Sequence, residues 1–447
     1  MRLIYARSED IERTHRVVTN DYLGYVQKLG SATEEYLKKL LSTPPDPRFS
    51  ADDRQSLRAF RDFWRDIHEF VKPSRDADTL HTPVALIEQL EALLSRIPEL
   101  EQCQLLLCHT PEANYIQFVR SKRREKAEHY AGIVSGAPQF PHKLGFIAIP
   151  YSQESCLFQN LLICHEMGHF AFEERGLENN LSAYIEAALE TNFPELVADP
   201  DSESALSWCR ELLWNWAEEI YCDRFAIGII GPAFSFSYIE FFDVIGATTG
   251  SDVNDFTDTH PSDSCRFKEH AEELTHGGWW PLLDEYGKAH ADLIRQLSAI
   301  PEDQYVFISD ERAQLDERVL SAFRKDVKPH IGDIVRATFQ GTETIFRGQT
   351  DVECIKAVQR YLCAGIVPAT LVLDGQLFMP SPAMLVNAAY LFYLYSVPEL
   401  IERIQTTGRE RIDAVSEREK WGHLVEQWTM KALEDLRLPG RRTTWGS

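Results

Sequence analysis

The chain has 447 residues and carries 46 lysine and arginine residues against 69 aspartate and glutamate residues, for a formal net charge of −23. Hydrophobic residues make up 44% of the chain and charged residues 26%, which excludes intrinsic disorder over most of it. Phosphate contacts need a basic surface, so the acidic balance argues against nucleic acid or an anionic membrane as a partner. One basic run, at residues 120–126, departs from this balance, and such runs are usually solvated.

The length predicts two or three domains that share a large core. We place a helical N-terminal region at residues 1–102, a mixed α/β central domain at residues 103–295 and a mostly helical C-terminal region at residues 296–447. Apolar side chains at three- and four-residue spacing predict helices in the first region. These helices are expected over residues 50–71 and 83–97.

Short apolar runs in the central region are bounded by proline, glycine and asparagine, which is typical of strands. They begin near Cys103, Asn114 and Gly145. Helical spacing follows, and it predicts helices over residues 154–174, 205–230, 233–245 and 262–274. A further strand-like run lies near Leu371. We therefore expect an α+β fold that is predominantly helical.

The nine cysteines are odd in number and form no CxxC pair, which argues against a disulfide framework or a cysteine zinc knuckle. Cys164 and Cys222 are interpreted as small core residues. The first 16 residues contain no apolar segment, and the most apolar stretch, which begins at Phe225, is interrupted by a Gly-Pro pair and by Glu240. We expect no signal peptide, no membrane span and a cytoplasmic protein.

The sequence HEMGH at residues 165–169 follows an apolar run at helical spacing, so it should lie late on an amphipathic helix. Histidines four residues apart project from one side of a helix, where their imidazoles can bind a single zinc ion. His165 and His169 are the candidate ligands, and Glu166 is placed beside the metal as a general base. Gly168 is a poor helix former, which suggests that another backbone approaches closely there.

A second helix carries carboxylates within an otherwise apolar stripe. Glu219 and Asp223 share this stripe, and buried carboxylates need a partner. A metal would provide one, with Glu219 as the third ligand and Asp223 as acceptor for the free imidazole N–H of one ligand histidine. The alternative is that Glu218 and Glu219 face solvent on a surface helix, and Glu218 replaces Glu219 as the ligand if the stripe is displaced by one residue.

These residues together resemble the gluzincin metallopeptidases. HEMGH at His165, EIYCDRFA at Glu219 and THPSDSCR at Thr259 are similar to the motifs of the family that contains the CAAX prenyl endopeptidases and the bacterial heat-shock membrane metalloproteases. The resemblance covers about residues 145–272, and it implies a zincin-like core. Those relatives are mostly embedded in membranes, a property that this chain is not expected to share.

The resemblance implies that His165, His169 and Glu219 bind zinc and that Glu166 is the general base. It also implies that His260 stabilises the oxyanion of a tetrahedral intermediate and that Arg266 shapes the site. The residues alone support His260 less strongly: it lies in a proline-containing turn between helices, from which a side chain can enter a cleft.

We therefore expect a zinc-dependent endopeptidase with a protein or peptide substrate and a narrow substrate range, since large flanking regions restrict access. Oligomeric state is left open. Two alternatives remain: a catalytically silent scaffold for protein interaction or sensing, and a zinc hydrolase acting on a non-peptide amide. The strand near Gly145 could bind an extended substrate along its edge, because Pro150 fits an edge strand better than a central one.

Overall fold

The computed structural model describes most of the chain beyond residue 155 and parts of the region before it. The described residues are 20–42, 84–97, 100–101, 103–110, 116–117, 128, 131–132, 134, 136–139, 144–150, 156–249, 253–304, 306–307, 313–340, 349–373, 375–407 and 413–436. The predicted helix over residues 50–71 and the basic run at residues 120–126 lie outside this set.

The chain forms two compact units, residues 1–87 with 102–155 and residues 88–101 with 156–447. Among its described residues, the first unit contains one long helix and a three-stranded sheet. Its elements are α1 (Asn20–Ser42), β1 (Gln104–Thr110), β2 (Ile116–Gln117) and β3 (Leu144–Pro150). The helix α2 (Val84–Leu94) includes the boundary between the units at residues 87 and 88.

The strand β3 lies in the centre of this sheet, whose order is β1-β3-β2. It pairs in parallel with β1 along its whole length and antiparallel with β2 at Ile147 and Ala148. The prediction of an edge strand is therefore wrong. Pro150 is accommodated because it is the last residue of β3, two positions beyond Ala148, where the missing N–H disturbs no bond to β2.

The second unit is almost entirely helical. Its α-helices are α3 (Ile163–Glu174), α4 (Glu178–Asn192), α5 (Pro194–Ala198), α6 (Glu203–Ile230), α7 (Pro232–Thr249), α8 (Asp263–His276), α9 (Trp280–Tyr286), α10 (Lys288–Ser298), α11 (Ala313–Ala322), α12 (Lys328–Thr338), α13 (Gln349–Cys363), α14 (Pro382–Leu391), α15 (Val397–Thr407) and α16 (Ala414–Leu436). Short 3-10 and π segments occur at Gln159–Leu162, Pro200–Ser202, Glu302–Gln304, Phe323–Val327 and Phe392–Ser396. The strand pairs are β4 (Asp255–Phe256) with β5 (Val306–Phe307), and β6 (Leu371–Leu373) with β7 (Gln376–Phe378).

The long helix α6 lies at the centre of the second unit, where α3, α4, α8 and α12 pack against it. Its apolar side chains are therefore buried around most of its circumference, and Trp216, Ile220 and Phe225 are each 0% exposed. Gly231 ends the helix with a positive φ of 74°. Glycine adopts this conformation at little cost, and the following Pro232 begins α7.

The predominantly helical fold is confirmed for the described residues, as are the short strands and the helices of the second unit. One boundary differs: the helix expected from residue 154 begins as a 3-10 turn at Gln159–Leu162 and becomes α-helical at Ile163. The predicted helix over residues 262–274 begins at Asp263, because the Ser262 hydroxyl caps it by accepting from the Cys265 N–H.

Within the described part of the chain, one helical stretch, Pro382–Thr406, is long and apolar enough by composition to cross a membrane. Its most apolar window is 61% buried inside the protein. Core helices of soluble proteins have the same properties, so this stretch is weak evidence for a membrane span.

Candidate metal centre

The helix α3 presents His165, Glu166 and His169, and all three lie in its first two turns, so the prediction that the motif lies late on the helix is wrong; the preceding apolar run forms a 3-10 turn instead. His165 and Glu166 are polar but only 8% exposed each, because α3 packs against α6. At Gly168 a Cβ atom would lie 2.7 Å from the Cα of Cys222 on α6. The expected close approach of a second backbone is therefore confirmed, and it brings the two motif-bearing helices together.

The carboxylate of Glu219 lies against the Nε2 atoms of both histidines. Its Oε2 is 3.4 Å from Nε2 of His165, and its Oε1 is 3.3 Å from Nε2 of His169. Glu219 is 8% exposed. Three potential ligand atoms, two imidazole nitrogens and a carboxylate oxygen, thus lie close together among buried residues, and such a donor set can hold a metal ion.

The Nδ1 atom of each histidine is bound to a different carboxylate of α6. Asp223 Oδ1 lies 2.9 Å from Nδ1 of His165, and Glu218 Oε1 lies 2.8 Å from Nδ1 of His169. An ionised carboxylate can only accept, so each neutral imidazole carries its proton on Nδ1 and directs the Nε2 lone pair towards Glu219. Carboxylate–histidine pairs of this kind orient metal-binding imidazoles.

Glu218 was considered from the sequence only as a substitute for Glu219, and the structure gives it a separate place. The indole N–H of Trp214, one turn earlier on α6, donates to Oε2 of Glu218 over 3.2 Å. Trp214 thereby restrains the carboxylate that holds His169. The sequence did contain a signal, because Trp214 and Glu218 are four residues apart on the same helix and therefore adjacent on its surface.

Arg266 of α8 connects two carboxylates of the site. Its Nε and Nη2 donate to Asp223 over 2.6 and 2.7 Å, and its Nη1 lies 3.3 Å from Oε2 of Glu219. The guanidinium also lies over the Tyr238 ring, 4.6 Å from the ring centroid. These contacts compensate the burial of Asp223, which is 0% exposed, and place Arg266 where it can order both carboxylates.

The electrostatics of the site favour a bound cation. Burial disfavours the charged imidazole of His165, but the carboxylates of Glu219 and Asp223 outweigh burial and raise its pKa to about 9. Burial likewise opposes the ionised form of Glu219, and His165, His169 and Arg266 nevertheless hold its pKa well below the usual range. An anionic Glu219 beside two imidazoles therefore attracts either a proton or a metal ion.

His260 lies at the exposed side of this group. Its Nε2 is 3.8 Å from Oε2 of Glu219, and its side chain is 49% exposed. Burial and the nearby Arg266 lower its pKa, against the opposing effect of Glu219, so the neutral imidazole is favoured. The structure thus places His260, from a separate loop, beside Glu219.

Cys222 offers a different third ligand. Its thiol and one ring nitrogen from each of His165 and His169 lie within 4.8 Å of one another, so this group could also hold a metal ion. Cys222 is 0% exposed, and burial raises the pKa of its thiol. The interpretation of Cys222 as a core residue overlooked that it follows Glu219 by three positions and therefore lies on the same side of α6.

The side chains of this group form a donor set that fits a metal ion. Oε2 of Glu219 is buried and, among the described residues, accepts no hydrogen bond of normal geometry; Nη1 of Arg266 and Nε2 of His165 lie 3.3 and 3.4 Å from it. Buried polar atoms are usually paired at hydrogen-bond distance, so the long contacts of this oxygen leave it able to accept a further partner such as a metal ion. Two imidazoles and one carboxylate form a donor set that can hold a metal ion, and the hydrogen bonds at Nδ1 direct each Nε2 towards it.

No protein-family model matches this chain, and no curated protein or solved structure shows significant similarity to it. Assignment of the site therefore depends on the residues and their geometry.

Proposed function

We propose that this protein is a zinc-dependent endopeptidase. The observation that carries the proposal is the arrangement of Glu219 opposite the Nε2 atoms of His165 and His169, at 3.4 and 3.3 Å. The Nδ1 atoms are occupied by other carboxylates, so the imidazoles are preoriented for a ligand on that side. The same three residues belong to two of the motifs that resemble those of the gluzincins, and a zincin-like core is part of the proposal.

His165, His169 and Glu219 would hold the metal. Zinc bound there would act as a Lewis acid on the scissile carbonyl and lower the pKa of a water molecule towards ~7. Glu166 follows the first histidine on α3 and is 8% exposed, so its carboxylate is largely shielded from bulk solvent. It would accept the proton of the attacking water and deliver it to the leaving amine nitrogen.

His260 would donate a hydrogen bond to the oxyanion of the tetrahedral intermediate. Its favoured neutral form retains one N–H for this purpose, and its half-exposed ring leaves room for a substrate carbonyl. Asp223, Glu218 and Arg266 would keep the ligands in place. The substrate is a protein or peptide, and we propose a narrow range of substrates.

The test combines metal content with hydrolysis. Wild-type protein and the Glu166→Gln variant are loaded with zinc, and bound zinc is measured by elemental analysis. Both are then incubated with an unbiased peptide library, and new termini are identified by mass spectrometry. We expect about one zinc per chain in both proteins, and cleavage by the wild type alone, with a rate loss of roughly 10²- to 10⁴-fold in the variant.

The Glu211→Gln variant is a matched control, because Glu211 is an exposed residue of α6. Retained hydrolysis in Glu166→Gln would overturn the mechanism. Bound zinc without any peptide cleavage, combined with release of a non-peptide amide product, would favour another class of zinc hydrolase. Absence of zinc from the wild type after reconstitution would favour an interaction scaffold.

A further inference from the structure

The loop that carries His260 is attached to α6 one turn before the candidate ligand Glu219. The Asn215 side chain donates to the carbonyl of Asp258 over 3.0 Å, and the Trp216 indole donates to the carbonyl of Thr257 over 2.8 Å. These donors lie on the helix that carries Glu219. The position of the loop is therefore set by the same helix that positions the ligand.

Hydrogen bonds within the loop restrain the backbone of His260. Its N–H donates to Oγ1 of Thr257 over 2.9 Å, and the Thr257 N–H donates to the His260 carbonyl over 3.0 Å. These backbone bonds do not restrain rotation of the imidazole about its own side-chain bonds, so another group must do so. The Thr259 hydroxyl is that group, because its Oγ1 lies 2.7 Å from Nδ1 of His260.

The contact between Thr259 and Nδ1 also determines whether Nε2, the other ring nitrogen of a neutral imidazole, carries the proton. Neutral histidine carries one proton, and the two nitrogens therefore have opposite roles. If the Thr259 hydroxyl donates to Nδ1, the proton of His260 resides on Nε2. Nε2 is the atom directed towards the candidate metal position, 3.8 Å from Glu219. If Nδ1 kept the proton instead, Nε2 would present a lone pair to developing negative charge.

We propose that Thr259 is a positioning residue that holds His260 in the Nε2–H tautomer, with its donor directed at the reacting carbonyl. This inference rests on the proposed peptidase function. The other hydroxyl near Thr259, Oγ1 of Thr257, lies 3.5 Å away and already accepts from the His260 N–H. Nε2 of His260 faces the Glu219 carboxylate at 3.8 Å, which favours an N–H rather than a lone pair there and leaves Nδ1 to accept from the Thr259 hydroxyl.

The kinetic test compares Thr259→Val, which keeps the shape of the side chain but lacks the hydroxyl, with Thr259→Ser, which keeps it. Each is assayed with zinc bound, on a fluorogenic peptide chosen from the library cleavage sites. We expect Thr259→Val to lower kcat by about tenfold with little change in KM, since one hydrogen bond is lost. Thr259→Ser should retain most of the wild-type kcat.

A second comparison separates positioning from a general structural effect. In a His260→Ala background, Thr259→Val should cause no further loss, because the group through which Thr259 acts is absent. Equal losses in the valine and serine variants, or a full additional loss in the His260→Ala background, would overturn the proposal.

The tautomer can be observed without any substrate. In ¹⁵N-labelled protein, the imidazole resonances of His260 are identified by their absence from the His260→Ala spectrum. The wild type and Thr259→Ser should show a protonated Nε2 and an unprotonated Nδ1, and Thr259→Val should lose this preference. A protonated Nδ1 in the wild type would overturn the proposal. Failure of the zinc-loaded protein to cleave peptides would instead count against the peptidase function.

Discussion

The imidazole of His165 and the carboxylate of Asp223 form a buried hydrogen bond, with 2.9 Å between Nδ1 and Oδ1. Asp223 is 0% exposed and also binds the guanidinium of Arg266 through both oxygens. His270 adds a further contact, since its Nε2 lies 3.3 Å from Oδ2 of Asp223. One carboxylate therefore connects α3, α6 and α8, and the carboxylate that holds His165 is fully buried, whereas the Glu218 side chain that holds His169 is 25% exposed.

This relationship predicts unequal effects of neutralising the two carboxylates that hold the histidines. Asp223→Asn should weaken zinc binding by about 10- to 100-fold, as is typical of such outer contacts. Glu218→Gln should weaken it less, because the Glu218 side chain is 25% exposed and water can replace it. Competition with a chromophoric chelator measures both affinities. Equal zinc affinity in wild type and Asp223→Asn would contradict the prediction.

The third ligand can be decided by comparing Glu219→Ala with Cys222→Ala. If Glu219 is the ligand, its removal should reduce bound zinc sharply from about one per chain, whereas Cys222→Ala should retain it. The reason is that Glu219 lies opposite the Nε2 atoms, while burial raises the pKa of the Cys222 thiol and disfavours the thiolate. Elemental analysis of protein purified without added metal gives the answer, and the reverse pattern would assign Cys222.

Close packing of α3 on α6 predicts that Gly168→Ala is destabilising. The new Cβ would lie 2.7 Å from the Cα of Cys222, and a backbone atom cannot move aside as a flexible side chain can. We expect a loss of about 1–3 kcal/mol in the free energy of unfolding, together with weaker zinc binding.

Gly24→Ala is the matched control for this substitution. Gly24 lies within α1, and a Cβ atom there would meet nothing within 4 Å. Alanine should be neutral or stabilising at that position, by up to ~1 kcal/mol. Thermal unfolding followed by circular dichroism compares the two variants. A lower midpoint for Gly24→Ala than for Gly168→Ala would contradict the packing argument.

A pH dependence of stability should arise at His290, away from the metal centre. Burial lowers the pKa of His290 to about 4, and its Nδ1 lies 2.5 Å from the hydroxyl of Tyr395. The unfolded chain binds a proton near pH 6.5, and the native chain does so only near pH 4. The neutral native histidine therefore contributes stability above pH 6.5, and this contribution is lost as the pH falls towards 4.

The measurement is the difference between wild type and His290→Gln in urea unfolding at pH 7 and pH 5. Because glutamine does not titrate, the variant should lose less stability over this interval, by about 1–2 kcal/mol. Other titrating groups are common to both proteins and cancel in the comparison. Identical pH dependence in the two proteins would show that His290 titrates normally in the native state.

Several features of the candidate site follow from local sequence. Four-residue spacing places His165 and His169 on one side of a helix, and helical geometry alone produces this result. The same rule places Glu219 and Asp223 together on α6. Gly168 is a poor helix former, and its presence in a helix by itself indicates close contact with another backbone. These predictions succeeded because they depend on the helical repeat and on side-chain volume.

The remaining features depend on how separate elements meet. The rotation of α6 against α3 determines that Glu219 lies opposite the Nε2 atoms, that Glu218 binds His169, and that Cys222 is an alternative ligand. The residue spacing within α6 does not specify this rotation, because it depends on how α6 packs against α3 at Gly168. Likewise, β3 is the central strand because it pairs with both β1 and β2. Such pairing joins residues that are distant in sequence, so local patterns do not specify it.

The sequence by itself thus determined which residue types could bind a metal and which helices carry them, because those properties are local. Only the tertiary structure decided which atoms converge, which carboxylate holds which imidazole, and that Thr259 contacts the ring of His260. Those relationships arise from packing of buried surfaces and from hydrogen bonds between elements, whose partners local patterns do not specify.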